Sequence, residues 1–468
     1  MYDFKRMVIG YAPTRRFDFP DPKNAYENSL KIRKRVDEVC AKLGNIELVD
    51  LSFLNDEALL FQDCDVPAVV KRFREAEVDA VFMPHANFGS EEVVAALGRA
   101  FKGLPILIWG PRDECPPAAY SFRQTDTQCG LFASTMALYR QNIPFSYIEN
   151  CWLDDELFER KFDAFVRAAS VVKAFRYTRI GLVGQRPKPF LTVMIDESEL
   201  INRFGIDMVP FDGTEFTTEL ERVRKEEKEE VEKLIDEVKS ALNCSTKRPE
   251  ELEISAASEL ALRHMAEQYR CTVLAGDCWA ILPLLYDIFP CYAFGNLTDK
   301  GLPVICENDV YGAITAMLLT AAARGETPTW TADLTIRHPY NDNAELMWHC
   351  GPFPKSLAKK ECAPELEFQC FGRYEIEGGD VTVARFGGVD GRFSLFFGEG
   401  KGVDGPITGG NYLWVEVSDW PKWERKLMYG PYIHHACGIH GKFAGILEEA
   451  CRYLGVKADP ADDCYEAF

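Results

Sequence analysis

Glu307, Asp333, His349 and the adjacent pair His434-His435 are residues of this chain whose types could do chemistry together. Carboxylates and imidazoles with no thiolate among them suit a hard or borderline divalent ion such as Mn²⁺. Two carboxylates beside such an ion can also move protons on carbon. Glu307 lies in Cys306-Glu307-Asn308-Asp309, between a run that reads as a buried strand and one that reads as a helix. An unpaired charge is expensive there, so a basic side chain or a metal is the expected partner. Asp309 reads as a cap for the following helix. Asp333 in Thr331-Ala332-Asp333-Leu334 has the same two readings as Glu307, and His349, after Leu346-Met347-Trp348, is either a ligand or a satisfied core histidine. The His434-His435 pair stands out among only 7 histidines, with His440 nearby as a decoy.

No local motif such as H-E-x-x-H binds these residues together, so the fold has to assemble them. The first ~175 residues alternate short apolar runs with helical stretches. Met7–Gly10, Ile46–Leu51, Ala80–Pro84 and Pro105–Trp109 read as strands. Helices are expected at about Tyr26–Leu43, Pro67–Ala76, Glu91–Phe101 and Cys129–Gln141. A second α/β unit starts at Tyr177, with strands at Arg179–Val183, Thr272–Leu274 and Pro303–Cys306. Its helices are expected at Leu191–Phe204, Thr217–Leu242, Ser255–Tyr269 and Val310–Arg324. The Lys/Glu run within Thr217–Leu242 reads as a solvated helix face. After Thr327, short alternating runs (Tyr374–Glu377, Val381–Phe386, Phe393–Gly398, Asn411–Glu416) read as antiparallel strands, and Gly441–Tyr453 as a closing helix. The expected architecture is α/β: two open parallel-sheet, Rossmann-like domains (1–175 and 176–325), then a β-rich domain (326–468).

Bulk properties narrow the function. A net charge of −20 argues against nucleic acid as a partner. The 16 cysteines include no C-x-x-C pair, and several sit in apolar runs, which points to a reduced, cytoplasmic protein. The charged N-terminus is unlike a signal peptide, and no apolar run is long enough to span a membrane. The one G-x-G-x-x-G string, Gly400 to Gly405, lies between two strands and opens no helix, so a nucleotide cofactor is not expected. Ligands of open α/β sheets bind at the carboxyl ends of strands, which singles out Arg15-Arg16 and the segment His85 to Gly89.

Longer segments around the candidate ligands carry a resemblance. Pro303-Val304-Ile305-Cys306-Glu307-Asn308-Asp309-Val310-Tyr311-Gly312-Ala313 resembles the segment of the L-fucose isomerase family in which a Glu-Asn-Asp run opens a helix and its Glu binds Mn²⁺. Thr331-Ala332-Asp333-Leu334 is similar to that family's Ala-Asp-Val, which supplies a second carboxylate. His435 falls where fucose and arabinose isomerases place a C-terminal ligand histidine, and His349 resembles an additional ligand of the arabinose isomerases. Ile9–Thr14, Asn87–Gly89, Trp109–Glu114 and Gln128–Gly130 look like the wider fucose-isomerase-like group, although the chain is shorter than the true fucose isomerases.

The resemblance implies a metal-dependent aldose–ketose isomerase, acting on an open-chain deoxy-, pento- or anionic sugar through a cis-enediol(ate). Glu307 and Asp333 would hold Mn²⁺ (or Mg²⁺ or Co²⁺) and handle protons, with His435 and His349 completing the ligand set. Which carboxylate is the base stays open. Arg16, Asn87 and Gln128 are candidates for binding sugar hydroxyls, and Trp279 and Trp420 for packing against the sugar. A cationic Arg15-Arg16 loop would suit an anionic sugar. The family also implies a homo-oligomer, hexamer or trimer, with sites shared between subunits. Two readings from other classes remain: a non-catalytic sugar-binding protein, and a metal-dependent epimerase or hydrolase using the same ligands.

Overall fold

The computed structural model describes residues 2–17, 22–113 and 125–465. Glu114, in one of the segments read above, lies outside them. The chain forms two compact units, one of residues 3–173 with 449–455, the other of 1–2, 174–448 and 456–468.

In the first unit, β1 (Met7–Tyr11), β2 (Ile46–Val49), β3 (Ala80–Pro84), β4 (Ile106–Trp109) and β5 (Ser146–Tyr147) form a parallel sheet in the order β2-β1-β3-β4-β5. Every residue of β1, β3 and β4 is buried, because helices cover both faces. The strand order reverses between β1 and β3, which opens a crevice at their carboxyl ends.

The second unit starts with another parallel sheet: β6 (Arg179–Val183), β7 (Asp207–Phe211), β8 (Val273–Gly276) and β9 (Val304–Cys306), ordered β7-β6-β8-β9. The edge strand β7 is an addition to the sequence expectation, since Asp207 and Pro210 interrupt its short apolar run. Two expected helices are divided. The charge-rich stretch breaks at Glu227 into Gly213–Glu226 and Lys228–Ala241. There the Glu227 carboxylate folds back onto Arg222, 2.6 Å away, and the helix does not propagate through it. The other begins only at Glu197, where the Asp196 carboxylate accepts the Glu199 N–H as an N-cap.

The rest is a barrel-like sheet of β10 (Thr329–His338), β11 (Asn341–His349), β12 (Glu365–Glu367), β13 (Phe371–Glu375), β14 (Gly379–Val389), β15 (Arg392–Val403), β16 (Asn411–Val417), β17 (His435–His440) and β18 (Lys457–Pro460). Six of these close on themselves in the order β16-β11-β10-β17-β14-β15, with β15 pairing back onto β16. Closure removes the exposed edges that a sheet of this length would otherwise present. The helix Val310–Ala322 is buried along its entire length, packed against β8 and β9 on one side and β10, β14 and β17 on the other. It joins the parallel sheet to the barrel, and the candidate ligands gather at its amino-terminal end. No helix among the described residues is long and apolar enough to cross a membrane.

Candidate metal centre

Glu307 follows β9 directly, and both it and Asn308 hold left-handed backbone conformations, with φ of 63° and 54°. Such conformations cost of order 1–3 kcal/mol each and persist only where surroundings enforce them. Asn308 supplies the enforcement. Its side-chain amide donates to the carbonyls of Val183 and Ala275, both at 3.2 Å, tying the turn to the ends of β6 and β8. Glu307 is thereby held with its carboxylate buried, and the Trp279 indole N–H donates to its Oε1 at 3.1 Å.

The barrel supplies the other residues by register. Asp333 on β10 pairs with His435 on β17 and with Trp348 on β11, which puts His349 one residue farther along. Residues about a hundred positions apart in the chain therefore become lateral neighbours. His435 Nε2 lies 2.9 Å from Glu307 Oε2 and 3.4 Å from Asp333 Oδ1. The approach to Glu307 is out of line for a hydrogen bond, so Nε2 is left without one. Asp333 Oδ1 and His349 Nε2 are also buried without a hydrogen-bond partner. These atoms fall into two overlapping groups able to hold a metal ion, Glu307/His349/His435 and Asp333/His434/His435.

The chemistry of this donor set fits a divalent cation. Ligand bonds of about 2.1 Å at right angles place neighbouring donor atoms about 3 Å apart, close to the spacings around His435. Orphaned buried acceptors and ring nitrogens are costly unless something binds them. Behind His435, its Nδ1 lies 2.9 Å from Asp309 Oδ2, and Asp309 is gripped by both terminal nitrogens of Arg385, one at 2.9 Å. All three side chains are buried. With Nδ1–H donating to Asp309, the Nε2 lone pair is aimed at the cluster, the usual carboxylate–histidine arrangement behind a metal ligand. Three carboxylates against one guanidinium leave two negative charges, which a divalent ion would balance with both histidines neutral.

The protonation equilibria report the same deficit of positive charge. Burial opposes ionisation of Asp309, but Arg385 and His435 overcome it and hold the carboxyl well below its usual range. Glu307 is also lowered, since His435 and His349 outweigh its burial. Burial works against charging His435, yet Asp309 and Glu307 push it up to about 9. His349 is likewise pushed up to about 9 against its burial, by Cys350, Asp333 and Glu307. His434 goes the other way, lowered by burial and by the charge on His435.

His349 differs from His435 in one respect. The backbone N–H of Cys350 donates to His349 Nδ1 at 2.9 Å. The proton of a neutral ring therefore sits on Nε2, which meets the cluster as a donor. His440, the third histidine of its segment, bonds instead to the Glu377 carbonyl at 2.7 Å through Nε2.

The structure gathers Glu307, Asp333, His349, His435 and Trp279 in one place. Trp279 is half exposed and packs edge-on against Phe190, with ring centroids 5.0 Å apart, and Phe190 in turn meets His434 at 5.9 Å. Trp420 instead belongs to the buried barrel core beside Trp423. Within the first unit, the Arg16 backbone N–H donates to Asn87 Oδ1 at 2.9 Å, linking the loops after β1 and β3, and its guanidinium lies over the Phe88 ring. Arg15 is paired with Glu57 at 2.6 Å. Gln128 is exposed at the start of the helix Thr127–Tyr139, lining a cavity of about 400 Å³ with Arg112, Asp113 and Asn150. Asp309, Arg385 and Phe190 were not singled out as site residues from sequence. Arg385 alone left a clear signal, a charge inside the apolar run Val381–Phe386.

Residues 13–176 match the family model described as the N-terminal domain of fucose/sulfoquinovose isomerase. The chain is similar to a sulfoquinovose isomerase of Priestia megaterium, 22% identical over 389 residues that cover 81% of this chain and 85% of the relative. A sulfoquinovose isomerase of Alkalicoccus urumqiensis is 22% identical over 337 residues, covering 70% of this chain and 73% of that one. A third, from a Clostridium species, is 24% identical over 266 residues, 54% of this chain and 57% of the relative.

Proposed function

We propose that the chain is a fucose isomerase-like sugar isomerase and that it interconverts an anionic aldose and its ketose at the Glu307/Asp333/His435 cluster. The observation that carries the reading is His435, locked by Asp309 and Arg385 so that its free nitrogen meets two carboxylates. The anionic class of sugar follows the sulfoquinovose named for its relatives.

Glu307, Asp333 and His435 are the residues that would hold a divalent ion such as Mn²⁺. When bound there, such an ion supplies Lewis-acid polarisation of adjacent sugar oxygens and so acidifies the neighbouring C–H bond. In the aldose-to-ketose direction one carboxylate removes the proton from C2, exchanges it with solvent and delivers a proton to C1, by way of a cis-enediol. The proton on O2 moves to O1. Glu307 is the more firmly placed of the two, fixed by Trp279 on one oxygen, while Asp333 is the more open to solvent. His349, with its proton on Nε2, donates to a sugar oxygen or to a carboxylate facing it. Trp279 and Phe190 offer an apolar wall for the C–H face of the sugar. Arg16, Asn87 and Gln128 remain the proposed contacts to sugar hydroxyls, supplied, as the family resemblance implies, by the first domain of a neighbouring subunit.

A substrate panel tests this reading. Chelator-treated protein is incubated with neutral and anionic aldoses, sulfoquinovose among them, with and without Mn²⁺. A metal-dependent equilibrium reached from both the aldose and the ketose is expected for an anionic sugar. Equal rates with neutral sugars would overturn the substrate class, and turnover unaffected by chelation would overturn the metal.

A further inference from the structure

Several cysteines read as small hydrophobes within apolar runs, and in the structure four of them meet. Cys278 follows β8, Cys291 opens the helix Cys291–Asp299, Cys306 ends β9, and Cys350 follows β11. The thiols form a chain, Cys278 against Cys306, Cys306 against Cys291, and Cys291 Sγ 3.5 Å from Cys350 Sγ. Cys350 Sγ in turn lies 3.2 Å from His349 Nδ1. Cys278, Cys291 and Cys306 are buried, whereas Cys350 is partly exposed. The last pair is held together by rigid elements. A Cβ on Gly295 in that helix would lie 2.6 Å from the Phe353 carbonyl oxygen, so the helix and the turn after β11 are in direct backbone contact.

We propose that Cys291 and Cys350 are an oxidation site, which a peroxide converts to a disulfide beside His349. The peroxide oxidises the accessible Cys350 thiol to a sulfenic acid, releasing one water. The Cys291 sulfur then attacks that sulfur and the sulfenic oxygen leaves as a second water. Two thiols and one hydrogen peroxide thus give one disulfide and two waters, with two electrons passing from sulfur to oxygen. The sulfurs must close from 3.5 Å to about 2.05 Å, a side-chain rotation rather than a movement of elements. Cys291 sits at a helix amino terminus with its sulfur 3.5 Å from that of Cys350, which places it as the attacking sulfur. The Cys350 sulfur lies 3.2 Å from His349 Nδ1, so its oxidation alters the contact behind that histidine and couples to the proposed site through one side chain.

The test is a thiol map of the Mn²⁺-loaded protein after treatment with hydrogen peroxide, alkylation and digestion with trypsin and chymotrypsin. Expected is a peptide carrying Cys291 linked to one carrying Cys350, restored to two alkylatable thiols by dithiothreitol and absent in C291S. A main product linking Cys306 to Cys278 or Cys291 would overturn the proposal. So would full alkylation of Cys291 and Cys350 under conditions that oxidise the exposed Cys129. The wild-type map requires no variant to fold and no assumption about turnover, so its outcome is separate from that of the isomerase reading.

Discussion

Asp309 has two tasks at once. It accepts the Gly312 N–H at 3.0 Å to cap the core helix, and it fixes the tautomer of His435 from behind. A Cβ at residue 312 would lie 2.6 Å from Asp309 Oδ2, so glycine is what lets the carboxylate lie across the helix start. D309N leaves the Arg385 guanidinium buried without its counter-charge, a loss of about 3–5 kcal/mol, and leaves one amide oxygen where two carboxylate oxygens now accept from the Gly312 N–H and His435 Nδ1. Thermal unfolding is expected to shift down, and Mn²⁺ affinity, read by titration calorimetry, to fall about 10–100-fold. The two histidines are expected to separate. H435A weakens Mn²⁺ binding as its main effect, whereas H349Q lowers turnover with affinity kept within a few-fold. Parallel losses of affinity in both would make His349 a ligand of equal standing.

At the scale of elements, β10, β11 and β17 act as a register device, and their packing has its own pH dependence. Glu345 on β11 is 5% exposed, and burial pushes its carboxyl up to about 7 despite Arg337 nearby. An unfolded glutamate titrates near 4.3, so the folded state keeps a proton that the unfolded chain releases. Its contribution to stability is therefore full below about pH 4 and is lost as pH rises through about 7. E345Q is expected to be more stable than the wild type at pH 8, by on the order of 2 kcal/mol, with the difference vanishing near pH 4. Denaturant titrations at both pH values check this. The parallel strands β1, β3, β4, β6 and β9 were legible as apolar runs because both their faces are covered. The hairpin β10–β11 was not, since β10 is buried at Thr329–Ala332 and exposed further on, with no alternation to read. The types of ligand could be read from sequence, and Asp309 even as a cap, but the Asp333–His435 pairing could not. It depends on the closure of a barrel, a relation among distant strands that no local pattern encodes.

At the scale of the molecule, the parallel sheet and the barrel of the second unit each supply part of the cluster, Glu307 from the end of one and Asp333, His349 and His435 from the other. The fully buried helix between them fixes that relation, which explains why so apolar a segment begins with three polar residues, Glu307 to Asp309. We expect the protein to be a homo-oligomer, a hexamer or trimer, as the family resemblance implies. Light scattering at micromolar concentration checks this, and a monomer would contradict it.

Proton transfer between adjacent sugar carbons by the carboxylates of this cluster is the step on which the proposed function rests. It is tested most directly by running the reaction in D₂O with Mn²⁺ and reading the ketose by NMR. Wild-type protein is expected to place deuterium at C1, and E307Q, folded to the same thermal stability, to lose about 10²–10⁴-fold in turnover. Ketose formed by E307Q at a near wild-type rate would rule out Glu307 as the group that moves the proton.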